Sequence, residues 1–339
     1  MLRANGLIGL PTETVYGLAA NADDAQAVAK IFAAKGRPSD HPLIVHVADA
    51  GAVAHFADHV PAFANRLMAA FWPGPLTLIL PRREGVGAAA AGGQDSIGLR
   101  CPSHPVAQAL LKALGPGAGA GEKAVWGIAA PSANQFGRVS PTTALHVQGE
   151  FGGDLLILDG GACGVGIEST IIDCTRGVPI LLRPGSITRA QIETACGQPV
   201  LLKEELPAHV PQGPRASGTL ESHYAPAARV RLMNLRALQT ALDVLGAEID
   251  LGQSAAEPVA QPGKDQPVIA TYSRAVLRSR SSKVLRRRMP DDAAATAQQL
   301  FAVLREFDAQ GVKLIWIETP PDTPDWDGVR DRLQRASAA

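Results

Sequence analysis

Residues 6–47, "GLIGLPTETVYGLAANADDAQAVAKIFAAKGRPSDHPLIVHV", read as a strand, a polar turn, a helix, a Lys-Gly-Arg-Pro corner and a second strand. Leu7–Leu10 supply the first apolar run. Asp23 or Asp24 is placed to cap a helix in which Val28, Ile31 and Phe32 recur at helical spacing, and Gly36 and Pro38 stop it. Thr12, Glu13, Thr14 and Tyr16 then gather at one end of that helix, with Lys35 and Arg37 just past the other. Polar groups at segment ends are where binding positions collect, unlike charges spread along a solvated face. The first strand comes so early that either the domain begins abruptly there or a helix ahead of it is missing.

Downstream the alternation continues to about residue 200. "PLIVHV" (42–47), "LTLIL" (76–80), "SIGLR" (96–100) and "VWGIAA" (125–130) predict strands. Helices are expected from Pro61 through "AFANRLMAAF" and from Pro105 to Leu114. "STIIDCTRGVPILLR" (169–183) predicts two strands joined at Arg176-Gly177, an antiparallel pair, and Thr188 with Gln191 forms a capping box. Alternation with at least one hairpin implies a mixed α/β sheet. The small-residue stretches 85–96 and 114–124 read as mobile surface loops, since neither matches a phosphate-binding glycine pattern.

From 201 to 228 the prolines Pro207, Pro211, Pro214 and Pro226 oppose regular structure and predict an extended linker. Beyond it "RVRLM", "VIATY" and "KLIWIE" read as strands, with helices near 292–309 and 326–336. The expected organisation is one α/β domain over 1–200, a linker over 201–228 and a smaller α/β domain over 229–339.

A chain of 339 residues suits two domains better than one core. Its 32 basic residues balance 32 acidic ones, so any polyanion site must be a local patch. The N-terminus lacks the apolar core of a signal peptide, and no run approaches ~18 apolar residues, so no membrane span is expected. The four cysteines form no CxxC pair and no zinc spacing, which fits free thiols in a reducing cytoplasm.

The chemistry-bearing positions each have a plain structural alternative. Lys35 and Arg37 could simply favour the C-terminal dipole of their helix, or they could clamp a phosphate, Arg as a fork and Lys as a point charge. Ser132, Asn134, Ser140 and Thr142 in "AAPSANQFGRVSPTT" (129–143) could be turn formers or donors to a nucleotide. Glu168, Ser169 and Thr170 precede a strand, Arg183 follows one, and Arg100 ends one. Ligands in open α/β sheets lie beyond strand ends, so five such sites point to one shared anion-binding cleft.

"PTETVYGL", "KGRP…PLIVHV", "FWPGPLTLIL", "PSAN…G…SPT", "GIEST" and "LLRPGSIT" together resemble the threonylcarbamoyl-AMP synthase family, the YrdC-like domain. "SHYAP" followed by a small α/β domain resembles its two-domain branch. The resemblance is dense over roughly residues 6–228 and loose beyond. It implies a twisted mixed sheet with a deep cleft, plus a smaller Rossmann-like α/β C-terminal domain. It also implies a reaction that joins L-threonine, bicarbonate and ATP into threonylcarbamoyl-adenylate and pyrophosphate. A separate tRNA threonylcarbamoyl-transferase complex would consume the product.

Position by position, the resemblance implies ATP phosphate binding and catalysis at Lys35, Arg37, Ser132 and Asn134. Ser96, Ser140, Arg183 and Tyr224 fall where the family holds nucleotide, and His41 stands where many members carry Asn. Thr14, His46, Arg100, Ala130 and Ser169 fall where it holds threonine, Arg100 suiting the carboxylate. His46 could equally be a half-buried strand histidine. Mg2+ would accompany ATP on its phosphates, with no protein cage for a metal. Tyr224 would belong to a lid excluding water, or would pack on a domain surface. Residues 273–288, "SRAVLRSRSSKVLRRR", carry seven basic residues and no acid. They could touch tRNA, but without stacking aromatics they read as a solvated strand and loop, with weak or no direct tRNA binding expected. Two rivals stay open: a non-catalytic RNA-binding module, and a carbamoyltransferase-type maturation protein, whose zinc-finger cysteines are not seen in this sequence.

Overall fold

The structure, a computed structural model, describes residues 1–116, 123–206, 213–219, 223–251 and 267–338. The chain forms two compact units: Met1–Phe136 with Ser140–Leu220, and Gly137–Val139 with Glu221–Ala339.

The first unit is built on a ten-stranded sheet. Its strands in chain order are β1 (Ile8–Leu10), β2 (Gly17–Asn21), β3 (Ile44–His46), β4 (Leu76–Pro81) and β5 (Ser96–Arg100). They continue as β6 (Ile128–Ala129), β7 (Leu156–Ile157), β8 (Thr170–Asp173), β9 (Ile180–Arg183) and β10 (Leu201–Leu202). Across the sheet the order is β10-β9-β8-β4-β5-β3-β6-β2-β1-β7. Parallel neighbours such as β3 and β5 alternate with antiparallel ones such as β4 and β5, so the sheet is mixed. Helices α1 (Ala25–Lys35), α2 (Val53–Phe56), α3 (Ala62–Phe71), α4 (Pro105–Leu114), α5 (Ala144–Phe151) and α6 (Arg189–Cys196) complete it.

The opening stretch departs from its reading in one respect. Between the polar turn and the helix the structure inserts a strand, so Thr12–Tyr16 do not sit at the helix end. They turn the chain from β1 into β2, which pairs antiparallel with it through Ile8↔Ala19 and Leu10↔Gly17. Gly17–Asn21 are buried on both faces, so the alternating polar pattern of a half-exposed strand is missing and the segment does not announce itself. Helix α1 starts where expected, its Ala27 N–H donating to Asp24 Oδ1 at 2.9 Å. It ends on Gly36, whose φ of +61° suits glycine.

The stretch 85–96 is another departure. Ala90 and Ala91 are fully buried, and the Leu43 N–H donates to the Ala90 oxygen at 2.7 Å, so small side chains here permit close packing of a turn. Part of 114–124 lies outside the described residues, as do 207–212 and 220–222 of the linker. The remainder of the linker includes β10 and an ordered segment, 213–219, within the first unit. All four cysteines are free and buried.

One face of the sheet packs on α3 and α6 through Val45, Leu78, Leu80, Ile97, Leu99 and Ile172, all essentially inaccessible. The opposite face of β3, β5 and β4 carries the polar residues. Cross-strand register puts His46, Arg100 and Thr77 in one row and Ile44, Gly98 and Ile79 in the next, with Ser96 beside Pro81.

The second unit is a four-stranded parallel sheet in the order β11-β14-β12-β13, with β11 Arg229–Met233, β12 Ile269–Ser273, β13 Val284–Arg288 and β14 Leu314–Glu318. Helices α7 (Leu235–Leu251), α8 (Ala293–Ala309) and α9 (Asp327–Ser337) accompany it. Leu238 and Leu242 of α7 cluster with Ile269, Val284 and Trp316. An all-parallel sheet accompanied by helices is the Rossmann-like arrangement that the family resemblance implies.

Candidate active site

The row His46–Arg100–Thr77 anchors one end of the polar face. Arg100 is 4% exposed. Its Nη1 donates to Thr14 Oγ1 at 2.7 Å and its Nε to the Gly74 oxygen at 3.3 Å. Arg100 Nη2 lies 2.7 Å from Glu13 Oε1 as an ion pair, but neither atom has an aligned hydrogen-bond partner. The carboxylate compensates the buried guanidinium charge, while the misaligned geometry leaves Nη2 hydrogens for an anionic ligand. The turn that sequence reading placed at a helix end therefore delivers Glu13 and Thr14 to Arg100. The Ser103 N–H donates to Glu13 Oε2 at 3.1 Å and holds the carboxylate in place.

His46 is buried opposite Arg100, and its Nδ1 has no aligned hydrogen-bond partner. Burial first, then the Arg100 charge, push its pKa down to about 3, so the imidazole is neutral at ordinary pH. Ala130 follows β6, where the strands approach closely: a Cβ on Gly17 would lie 2.9 Å from that of Ala130.

Ser169, just before β8, joins this end to the next. Its hydroxyl is 2.7 Å from Thr77 Oγ1 and accepts from Arg183 Nη2 at 3.1 Å, while Arg183 Nε donates to the Ser169 carbonyl at 3.1 Å. The "RPG" turn after β9 can lie this close because Gly185 has no side chain: a Cβ there would sit 2.5 Å from the Thr170 nitrogen. Ser140 donates to Glu168 Oε1 at 2.5 Å, so the "SPT" and "GIEST" motifs meet.

Lys35 and Arg37 sit at the end of α1. Lys35 is 2% exposed, and its Nζ donates to the Ser132 oxygen at 2.6 Å and also to the Asn134 oxygen. Burial, then the neighbouring Arg37, hold its pKa down to about 7, with Glu150 opposing. Arg37 donates to the Pro42 oxygen at 3.0 Å and stands 5.9 Å over the Phe136 ring. His41 lies 5.6 Å from the same ring, its pKa lowered by burial and then by Arg37.

The linker segment 213–219 reaches the sheet face between these clusters. Arg37 Nη2 donates to Ser217 Oγ at 3.4 Å and Arg183 Nη1 to the Ser217 carbonyl at 2.9 Å, so one serine bridges both arginines. Ala216 packs on Ile44, Ile79, Ile171 and Leu182. Ser96, Thr77, Gly98 and Ala216 line a small hollow there. Arg215 fastens the segment outside, pairing with Asp40 at 2.6 Å and with Gln94 through its N–H at 2.7 Å.

Thirteen of the candidate residues thus belong to the first unit: Thr14, Lys35, Arg37, His41, His46, Ser96, Arg100, Ala130, Ser132, Asn134, Ser140, Ser169 and Arg183. Tyr224 belongs to the second, where it is buried, 5.3 Å from the Phe301 ring and 5.5 Å from the Arg332 guanidinium. Sequence reading passed over Thr77 and Ser217. Thr77 carries a signal, a lone hydroxyl in the apolar run "LTLIL"; Ser217 carries none. Among the described residues no three His, Cys, Asp or Glu side chains cluster as a metal site.

Comparison with known proteins gives two adjoining family matches. The Sua5–YciO–YrdC family, described as "Telomere recombination", covers residues 1–185, and "Threonylcarbamoyl-AMP synthase, C-terminal domain" covers residues 187–338. The threonylcarbamoyl-AMP synthase of Bacillus subtilis is 37% identical over 99% of this chain and 91% of its own length. That of Pyrococcus abyssi is 36% identical, over 99% and 92%. The crystal structure of P. abyssi Sua5 complexed with L-threonine superposes with a TM-score of 0.82 at 34% identity, covering 99% of this chain and 92% of that one. Similar from end to end to these relatives, in sequence and in fold, the chain belongs to the threonylcarbamoyl-AMP synthase family.

Proposed function

We propose that this protein makes threonylcarbamoyl-AMP and pyrophosphate from L-threonine, bicarbonate or CO2, and ATP. The observation that carries the reading is the polarity of one sheet face. Arg100 and Thr14 stand at one end. Ser96 lies four residues away on the same face of β5, about 13 Å at strand rise, in a hollow shared with Ser217, to which Arg37 and Arg183 both donate. A small zwitterion and a triphosphate need that separation of environments.

In this reading Arg100 Nη2 takes the threonine carboxylate, with His46, Ala130 and Ser169 around the amino acid. The neutral threonine amine captures CO2 as a carbamate. A carbamate oxygen then attacks the α-phosphorus, the bond to the β-phosphate oxygen breaks, and pyrophosphate leaves. Lys35, Arg37 and Arg183 meet the phosphoryl charge, and Ser132 and Asn134 fix the loop that receives Lys35. Ser96, Ser140 and His41 line the nucleotide end. The chemistry needs no covalent enzyme intermediate, and the four thiols play no part in it. Mg2+ carried on the nucleotide would be held by the phosphates and water rather than by protein ligands, and would supply charge neutralisation there.

The segment 213–219 is the proposed lid that keeps water from a hydrolysable adenylate. The product passes to a tRNA threonylcarbamoyl-transferase complex, and the protein itself binds tRNA weakly or not at all. The basic stretch supports this: Arg274 pairs with Glu318 and Arg287 with Glu306, and Arg288 Nη2 lies 3.5 Å from Asp291 Oδ2. The reaction suits a cytoplasmic enzyme. No helix among the described residues is long and apolar enough to cross a membrane.

The test is pyrophosphate release from ATP with bicarbonate present, with the adenylate identified by mass spectrometry. Release should require L-threonine and fall sharply with L-alanine. Release indifferent to the amino acid would overturn the assignment.

A further inference from the structure

We infer that Thr12, which touches no proposed ligand, sets the direction of the hydrogen bond between Thr14 and the amino-acid substrate, making Thr14 an obligatory acceptor. The inference rests on the reading of this end of the cleft as the threonine site.

The directions follow from which atoms carry hydrogens. Thr12 Oγ1 lies 2.6 Å from the Val15 carbonyl oxygen, and a carbonyl cannot donate, so the single Thr12 hydroxyl hydrogen is committed there. Thr12 Oγ1 also lies 2.9 Å from Thr14 Oγ1. Two oxygens that close without a hydrogen between them repel, so the Thr14 hydroxyl must donate to Thr12. Arg100 has only donors, and its Nη1 lies 2.7 Å from the same Thr14 oxygen. Thr14 has therefore given its hydrogen to Thr12 and accepts one bond from Arg100. What remains toward a ligand is lone-pair density.

All three side chains are buried: Thr12 is 2% exposed, Thr14 0% and Arg100 4%. Thr12 Oγ1 also accepts from the Thr14 and Val15 N–H groups, both at 3.3 Å, which fixes its own position in the turn. The hydroxyl of Thr14 cannot simply rotate to suit the ligand, as a solvated hydroxyl would.

The site is thus polarised around Arg100. Its Nη2, beside Glu13 Oε1 at 2.7 Å, has only hydrogens to offer a ligand, while Thr14 Oγ1 has only a lone pair a short distance away. A carboxylate at Thr14 would meet an oxygen with no hydrogen to offer. An ammonium group at Arg100 would meet a cation. The pair accepts an amino acid in one orientation only, carboxylate on Arg100 and an N–H or O–H donor on Thr14. The donor is either the α-amine or the β-hydroxyl, and Thr12 acts on both alike as a positioning residue.

The experiment is steady-state pyrophosphate release by the full chain carrying Thr12→Val or Thr12→Ser, with thermal unfolding as the folding control. Thr12→Val frees the Thr14 hydrogen to point either way and should raise KM for L-threonine about tenfold, leaving KM for ATP within about twofold. Thr12→Ser restores the relay and should match wild type. L-2-Aminobutyrate, which lacks the β-hydroxyl, separates the two donors. An equal rise in KM for both amino acids assigns the α-amine, and a rise for L-threonine alone assigns the β-hydroxyl.

An unchanged KM for L-threonine in Thr12→Val overturns the inference, as does a rise in KM for ATP equal to that for L-threonine, or a Thr12→Ser variant no better than Val. Wild type that releases no threonine-dependent pyrophosphate would instead overturn the functional reading beneath it. If Thr12→Val fails to fold, NMR of the wild type decides. The buried Thr14 hydroxyl proton should show a nuclear Overhauser contact to Thr12 with and without L-threonine. A proton that turns to the bound amino acid overturns the relay.

Discussion

Lys35 Nζ donates to the main-chain oxygen of Ser132, 97 positions along the chain, at 2.6 Å. The bond joins the end of α1 to the turn after β6 and holds a buried ammonium against two carbonyl oxygens, those of Ser132 and Asn134. Carbonyls can orient the charge without neutralising it, which leaves it available to an anion. Lys35→Met keeps the stem and removes the charge. It should fold and should lower pyrophosphate release on the order of 100-fold or more, measured at saturating L-threonine, bicarbonate and ATP.

The same burial makes Lys35 a proton-uptake site. Its pKa in the folded protein is held down to about 7 against an ordinary 10.5. Between those values the unfolded chain carries a proton that the folded one has released, so stability from this group rises with pH from about 7 to 10.5. Below about 7 the full cost of burying the cation is present. Triphosphate placed against Lys35 favours the ammonium and raises the pKa again. ATP binding at pH 8 should therefore take up protons. Calorimetry in two buffers of different ionisation enthalpy should show the uptake in wild type and its loss in Lys35→Met.

Much of this site is legible in the sequence because its residues sit at the ends of segments with strong local signals. The capping box at Thr188 and Gln191 forms as read, and α4 spans Pro105–Leu114 as read. Arg100 is found because it ends a run of five strand residues, Ser96–Arg100. Strand β2 was hidden because burial on both faces erases alternation. The relay from Arg100 through Thr14 to Thr12 is not legible either. It depends on two residues 86 positions apart meeting at 2.7 Å, which the register of β5 decides and no local pattern encodes. Ser217 lies in a proline-rich stretch without periodicity, and only long-range packing of Ala216 on the sheet brings it between Arg37 and Arg183.

His46 should make the protein sensitive to acid. Its folded pKa is about 3 against an ordinary 6.5, so as pH falls through that window the unfolded chain binds a proton the folded one refuses. Stability from this group is complete above about 6.5 and declines toward 3. His46→Gln removes the titration. The difference in unfolding midpoint between wild type and His46→Gln should shift against wild type as pH drops from 7 to 4, followed by thermal denaturation. The His46 imidazole carbons should also show no NMR titration between pH 5 and 8.

Ser217 occupies donors of both Arg37 and Arg183, the cations proposed for the phosphates. A nucleotide reaching those arginines must displace the segment 213–219 or draw it aside. The outer fastening is weak by construction: the Arg215–Asp40 pair is exposed, with side chains 51% and 59% accessible, so solvent and salt screen it. Gln94 adds two contacts, accepting from the Arg215 N–H at 2.7 Å and donating to its carbonyl at 3.3 Å. The side-chain pair can be removed without touching the sheet face. Arg215→Ala should leave KM for L-threonine unchanged and tighten ATP binding about two- to fivefold, since less must be given up when the segment moves. The gain should shrink in high salt, where the wild-type pair is already screened. Equilibrium titration of ATP at low and high ionic strength measures both effects, and weaker ATP binding by Arg215→Ala would mean that the segment is part of the nucleotide's own binding surface.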